Sequence, residues 1–380
     1  MATSFKSLLN QDIQNTRTKL HESIPLTGTV ISGTYTDLNI KNYAHGMFQS
    51  VYDYPFLSSS ANHIMDITLG YASSSNFSSS VATQNTQKIQ IYNQMAQTLM
   101  GYDSTGSIQR FDQDGDLTAG VKMDNCMFLS FSRLLVKDEI KKGSFSMKWM
   151  ISSSYNENGS MNSRQLTITD RSGSNSFFSN SPTGEYGILY ATGSGGTINS
   201  VHHVLTGSGA STAGGTANTG RYFPVGLIFY QAGIVVLTGS ITTDHGEGGI
   251  LDDSAIGALS MAGGGTKGMT TMLTGAAISS SADAIRSRIN DLSFNNTVEL
   301  NSVVYFCRAS HNEYNFSSNP TYVNGSSIRV KANPGDVPIT YITSVGLYNE
   351  QNQLLAVGKL SEPVRKDPSI ELIFRARLDY

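Results

Sequence analysis

Between Asn301 and Tyr380 the sequence is a succession of short runs rich in Val, Ile, Tyr and Phe, broken by Asn, Gly and Pro. Ser302–Arg308, Pro338–Tyr348, Leu354–Leu360 and Ile370–Leu378 each have the length of a strand, and Asn349–Gln353 is a polar turn between two of them. β-Branched and aromatic side chains suit a pleated, half-buried surface, and Asn, Gly and Pro interrupt it, so this stretch predicts antiparallel sheet. Any fold for the chain has to accommodate that sheet.

The same signals recur upstream. Asn125–Ser132 is a continuous apolar run, and in Ser144–Ser152 the residues Phe145, Met147, Trp149 and Ile151 alternate with polar ones, which buries one face of a strand. Gln165–Thr169 and Tyr186–Ala191 read as further strands. Pro224–Tyr230 and Ile234–Gly239 flank Gln231-Ala-Gly233 as a hairpin. Its order of Val-Gly-Leu, aromatic, turn and apolar strand returns at Val345–Val357, which predicts two similar hairpins in one sheet system.

Helical spacing appears in three places. Ile89, Tyr92, Met95, Ala96, Leu99 and Met100 give the clearest amphipathic stripe, with Gly101 where a left-handed cap is wanted. Phe5, Leu8, Leu9, Ile13 and Leu20 predict a helix over 3–20, an arm needing a partner surface, with Phe5, Leu9 and Ile13 as its contact residues. Ile278, Ala282, Ile285, Ile289 and Leu292 predict a third helix, over 276–292.

The expected fold is therefore mainly β with some helix (α+β), with antiparallel sheets or a β-sandwich as the body. The expected segments are an N-terminal arm and helical region over 1–124, a β-rich domain with a long Gly/Ser loop over 125–245, a helical insertion over 246–295, and a C-terminal antiparallel region over 296–380. With 380 residues there is ample chain for a buried core.

Composition excludes some functions. Charged residues are 14% of the chain and the net charge is -3, so no basic surface for nucleic acid is expected. Ser, Thr, Asn and Gly supply the polarity. The first ten residues lack a continuous apolar segment, and the longest such stretch, 225–237, is broken by Gln231 and Gly233, so neither membrane insertion nor export is expected. The two cysteines, Cys126 and Cys307, each lie in an apolar run and read as buried free thiols.

Motifs for chemistry are weak. Asp112, Asp114 and Asp116 alternate as calcium ligands do, but the glycine falls at the fourth position and Met123 stands where a bidentate Glu is needed, which favours an Asp/Gly-rich turn. His202 and His203 are adjacent and so point to opposite faces of a strand, while His245 sits in a polar turn. In Gly263–Gly268 the lysine follows threonine, the reverse of a phosphate loop. No cofactor, catalytic residue or small-molecule ligand is expected. Arg375 and Arg377 share one face of the last strand and are candidates for an interface.

At Ile89–Gln97, at Phe131–Phe145, and at Tyr341–Tyr348 through Leu355–Leu360 to Arg375–Tyr380, the sequence resembles virion structural proteins of contractile-tailed bacteriophages, cyanophages in particular. The resemblance implies a non-enzymatic subunit of a large symmetric particle, assembled in the host cytoplasm, whose partners are other virion structural proteins and copies of itself. Baseplate or neck is the expected place, because an arm and long loops suit contact with dissimilar neighbours. A capsid decoration protein and a receptor- or glycan-binding adhesin are the alternatives.

Overall fold

The computed structural model describes residues 5–25, 37–115, 117, 122–150, 165–193, 222–242, 271–317, 323–324, 327–328, 333 and 335–380. In chain order the first strands are β1 (Ile13–Pro25), β2 (Ile40–Asn42), β3 (Gln49–Tyr52) and β4 (His63–Tyr71), followed by helix α1 (Asn85–Leu99). Next come β5 (Asn125–Phe131), the single turn α2 (Arg133–Val136), β6 (Glu139–Ile140), β7 (Ser146–Met150) and β8 (Gln165–Thr169). After these lie β9 (Phe178–Ser181), β10 (Gly184–Gly193), β11 (Phe223–Phe229), β12 (Ile234–Thr238), helix α3 (Ile278–Arg288) and the long β13 (Ile289–Ala309). The described elements close with β14 (Val323–Asn324), β15 (Ser327–Ile328), β16 (Thr340–Tyr348), β17 (Leu354–Lys366) and β18 (Leu372–Asp379). The β-rich, antiparallel character expected from the sequence is what the chain adopts.

Two compact units divide the chain, one of residues 21–298 and one of residues 1–20 with 299–380. The larger contains an antiparallel sheet in the order β13-β7-β8-β10-β11-β12-β5-β4-β3-β2. Its middle strands β11, β12 and β5 are largely apolar because both faces are covered. In β5, Met127, Leu129 and Phe131 enter one cluster with Met65, Ile67 and Leu69 of β4, while Cys126 and Phe128 enter another with Leu227, Phe229 and Val236. That is why Asn125–Phe131 shows no polar alternation.

Helix α1 supplies Ile91, Tyr92, Ala96 and Leu99 to the second cluster, and α3 supplies Ala282 and Ile285 to the first. α1 lies directly on β4 at Gly70, where a Cβ would stand 2.4 Å from the Lys88 carbonyl oxygen and 2.9 Å from the Tyr92 nitrogen. The helix ends as its sequence predicts: Gly101 has φ +79 and donates its N–H to Ala96 O and Gln97 O. β7 buries Met147 and Trp149, and on its other face Lys148 pairs with Asp291 of β13 at 3.0 Å across a directly opposed register.

The N-terminal stretch departs from expectation. The described part of the expected helix over 3–20, residues 5–20, is not helical: Asn10–Asp12 make one 3-10 turn and Ile13–Pro25 is strand. Thr16 and Thr18 are poor helix formers with stiff Cβ branching, and β13 offers a neighbouring strand, so pairing prevails over the approximate helical spacing. α3 starts at Ile278 and gives way to β13 at Ile289, earlier than Leu292, and residues 246–270 of the expected helical insertion lie outside the described residues. The two similar hairpins are both present, but not in one sheet: β11–β12 is central to the large sheet, whereas β16–β17 forms a two-stranded sheet by itself. β4 and β5 pair along their whole length, so the expected segments 1–124 and 125–245 meet in one sheet.

Candidate assembly interface

The smaller unit is put together differently from the larger. Both extended apolar clusters consist of residues between Val51 and Phe294, and in the smaller unit Val304 and Ala309 are the buried apolar side chains among the described residues. Polar groups hold it instead. Lys366 is fully buried, and its ammonium donates to Asn315 Oδ1 at 2.7 Å, Asp367 O at 2.9 Å and His311 O at 3.2 Å. Thr340 Oγ1 donates to Tyr314 O at 2.6 Å, so both ends of the β16–β17 base rest on the turn at 311–315. Asp12 accepts from Arg308 Nε at 2.7 Å, and Lys6 pairs with Glu313 at 2.5 Å.

Apolar side chains that would ordinarily form a core face outward here. Tyr341, Tyr348, Leu354, Leu355 and Val357 of the hairpin are exposed, as is Ile373 of β18. Tyr348 meets Phe5 in a tilted ring contact at 4.7 Å between ring centres, and its ring and Leu354 close over Gly346. β17 carries a large bulge: Lys359 pairs with Ser344 and Val364 with Ile342, leaving residues 360–363 opposite Thr343. Pro363, which cannot donate a ladder hydrogen bond, lies in that bulge.

Of the residues expected at an interface, Phe5, Leu9 and Ile13 are exposed, at 45%, 58% and 38%, although they belong to an extended arm and not to a helix. Phe5 contacts the hairpin through Tyr348. Arg375 and Arg377 are exposed on the same face of β18, as expected, and the structure separates their roles. Arg377 donates to Asp379 Oδ1 at 2.6 Å and to Ser302 Oγ at 3.0 Å; the bonds from Ser302 and Arg377 hold the Asp379 carboxyl below the usual carboxylate range. Arg375 makes no ion pair or hydrogen bond among the described residues. Sequence reasoning did not single out Glu371 and Ile373, which continue the same alternation toward the start of β18.

The candidate calcium residues are placed otherwise. Asp112 is fully buried and ion-paired with Lys122, and Asp114 donates its backbone N–H to Asp112 Oδ1 at 3.3 Å. Gln113 is tied to Pro224 O at 2.6 Å, and Tyr186 Oη donates to Gly115 O, so the segment is a turn fastened to the sheet. A lysine ammonium occupies the charge position a cation would take at Asp112. Asp116 lies outside the described residues, as do His202, His203, His245, Gly263–Gly268 and, apart from Gly193 at the end of β10, the Gly/Ser loop expected over 193–220. Among the described residues no group of three His, Cys, Asp or Glu side chains is placed to hold a metal ion.

Cys126 is buried and burial pushes its thiol up; Cys307 is half-buried and shifted the same way, and neither is in a disulfide. The other perturbed groups have structural partners. Burial lowers Lys88 to about 8, and its ammonium donates to Leu273 O at 2.6 Å and Ala276 O at 2.8 Å, joining α1 to the chain that enters α3. Burial raises Asp170 to about 7 while it accepts from the backbone of Gly143 and Phe145. Among the described residues no helix is long and apolar enough to cross a membrane. No protein-family model, curated protein or solved structure matches the chain.

Proposed function

We propose that the chain is a non-enzymatic structural subunit of a contractile-tailed bacteriophage particle that works by subunit contact, in the baseplate or neck. One observation carries the assembly part of this reading: the smaller unit leaves apolar strand residues in solvent, with Leu355 at 68%, Val357 at 61% and Ile373 at 63% exposure, while polar contacts hold its base together. A two-stranded sheet with apolar side chains outward is marginal in water and gains stability when a partner covers it. The phage part rests on the likeness of the blocks at 89–97, 131–145 and 341–380.

The test is direct. Peptides of this chain should be recovered by mass spectrometry from gradient-purified particles in constant ratio to the tail proteins, and antibody to it should decorate the tail end or neck by electron microscopy. Its absence from purified particles overturns the proposal, and decoration of the head surface reassigns it to the capsid.

A further inference from the structure

β18 pairs with β13 along one edge, and among the described residues no strand pairs with its other edge. Tyr380 and Asn301 exchange backbone hydrogen bonds, Tyr380 N to Asn301 O at 2.9 Å and Asn301 N to Tyr380 O at 3.3 Å. In an antiparallel ladder such reciprocal pairs alternate with non-bonded ones, and the register continues unbroken from Ser302↔Asp379 to Ala309↔Leu372. The even-numbered residues of β18 therefore spend their backbone groups on β13. Ile373, Arg375, Arg377 and Asp379 turn theirs to the opposite edge, with which no strand pairs among the described residues.

An unpaired edge is normally blunted by a bulge, a proline or charged side chains. β17 carries such protection in its bulge and Pro363. β18 has neither, and its exposed run Glu371, Ile373, Arg375, Arg377, Asp379 carries charges of both signs, which disfavour a neutral strand but can complement a second copy of the same run; Glu371 meets His311 Nδ1 at 3.4 Å and is still 70% exposed. We propose that two copies of the chain pair antiparallel through this edge about a two-fold axis at Ile373. Ile373 then meets the partner's Ile373, and each Glu371 stands opposite the partner's Arg375, twice per dimer by symmetry.

In this register a residue with outward backbone groups sits on the axis, so the ladder hydrogen bonds form. It also gives the free Arg375 an opposite charge and covers the 63% exposed Ile373. Axes at Arg375 or Arg377 set each of these cations against its own copy, an axis at Ala376 sets Arg375 against Arg377, and an axis at Phe374 forms the ladder but sets Ile373 against Arg375. The proposal rests on the chain being an assembly subunit and names one of its partners. Recovery from particles tests that wider reading, whereas self-association of the purified chain tests this one.

The experiment is sedimentation equilibrium of the full chain with charge reversals. Arg375→Glu and Glu371→Arg should each weaken the dimer at least about tenfold, because each turns two attractive pairs repulsive, and the double reversal should restore it. A monomer at every concentration, or a dimer indifferent to both single reversals, overturns the proposal. Disulfide trapping does not depend on charge variants folding. Directly opposed residues of a bonded pair lie about 5.5 Å apart at Cα, within disulfide reach. Ile373→Cys should cross-link on mild oxidation above the background of the unsubstituted chain, and Leu378→Cys should not. A dimer that fails to cross-link at Ile373→Cys, or that cross-links at Leu378→Cys, overturns the register.

Discussion

Asp170 illustrates how a single buried carboxylate can make the stability of this chain depend on pH. Its Oδ2 accepts from Gly143 N at 2.6 Å and its Oδ1 from Phe145 N at 3.0 Å, closing the turn that leads into β7. Burial outweighs those two bonds and raises its pKa to about 7. A carboxyl raised on folding stabilises fully below its unfolded value, near 3.8, and that stabilisation is lost as pH rises through the folded value near 7. The span amounts to about 4 kcal/mol at most. Asp170→Asn removes the titration and mismatches one of the two N–H donors, so it should cost stability at pH 4 and lose that disadvantage, or reverse it, by pH 7. Denaturant unfolding of both proteins across this range checks the sign; a difference that does not move with pH contradicts it. Lys88 is buried in a comparable way, with its ammonium donating to two backbone carbonyls.

At the scale of elements, the contact of α1 with β4 is the most sensitive to a small change. Gly70→Ala places a methyl within 2.4 Å of a helix carbonyl that cannot rotate away, so α1 has to lift from the sheet. The expected loss is about 1–3 kcal/mol in thermal or denaturant unfolding, as for other overpacked cores. Nothing in the sequence marks Gly70 as such a position, whereas Gly101 could be read from the apolar stripe before it. The same contrast runs through the fold. β5, β7, β8 and the β11–β12 hairpin were legible because burial on one or two faces imposes a pattern of period two or a continuous apolar run. The arm was not: a few apolar residues near helical spacing in a polar stretch do not reveal that β13 offers a ladder. At the candidate interface Arg375 and Arg377 were legible from their alternation, but only the observed Asp379 and Ser302 contacts distinguish the satisfied arginine from the free one. Glu371 and Ile373 carried the same period-two signal and were within reach of it.

Across the whole molecule the apolar and polar contributions are unevenly shared, and local stability should follow. Residues 21–298 hold both apolar clusters, while the smaller unit depends on Lys366, Thr340, Asp12 and their partners. Amides open with free energies that reflect the apolar area their opening exposes, so the two units should exchange on different timescales. In the dilute chain, peptides covering 340–366 should take up deuterium at least about a hundredfold faster than those covering 125–131 and 234–238, whose strands are buried on both faces. In assembled particles the hairpin should slow while β5 and β12 stay as they were, because only the hairpin gains cover. Equal protection of hairpin and central strands in the isolated chain would mean that the polar base alone stabilises the smaller unit, and the outward apolar residues would then need no partner. Rapid hairpin exchange that persists in the particle would place the covering contact elsewhere on the smaller unit. A hairpin protected only on assembly is the result that ties the outward apolar strands to a subunit neighbour.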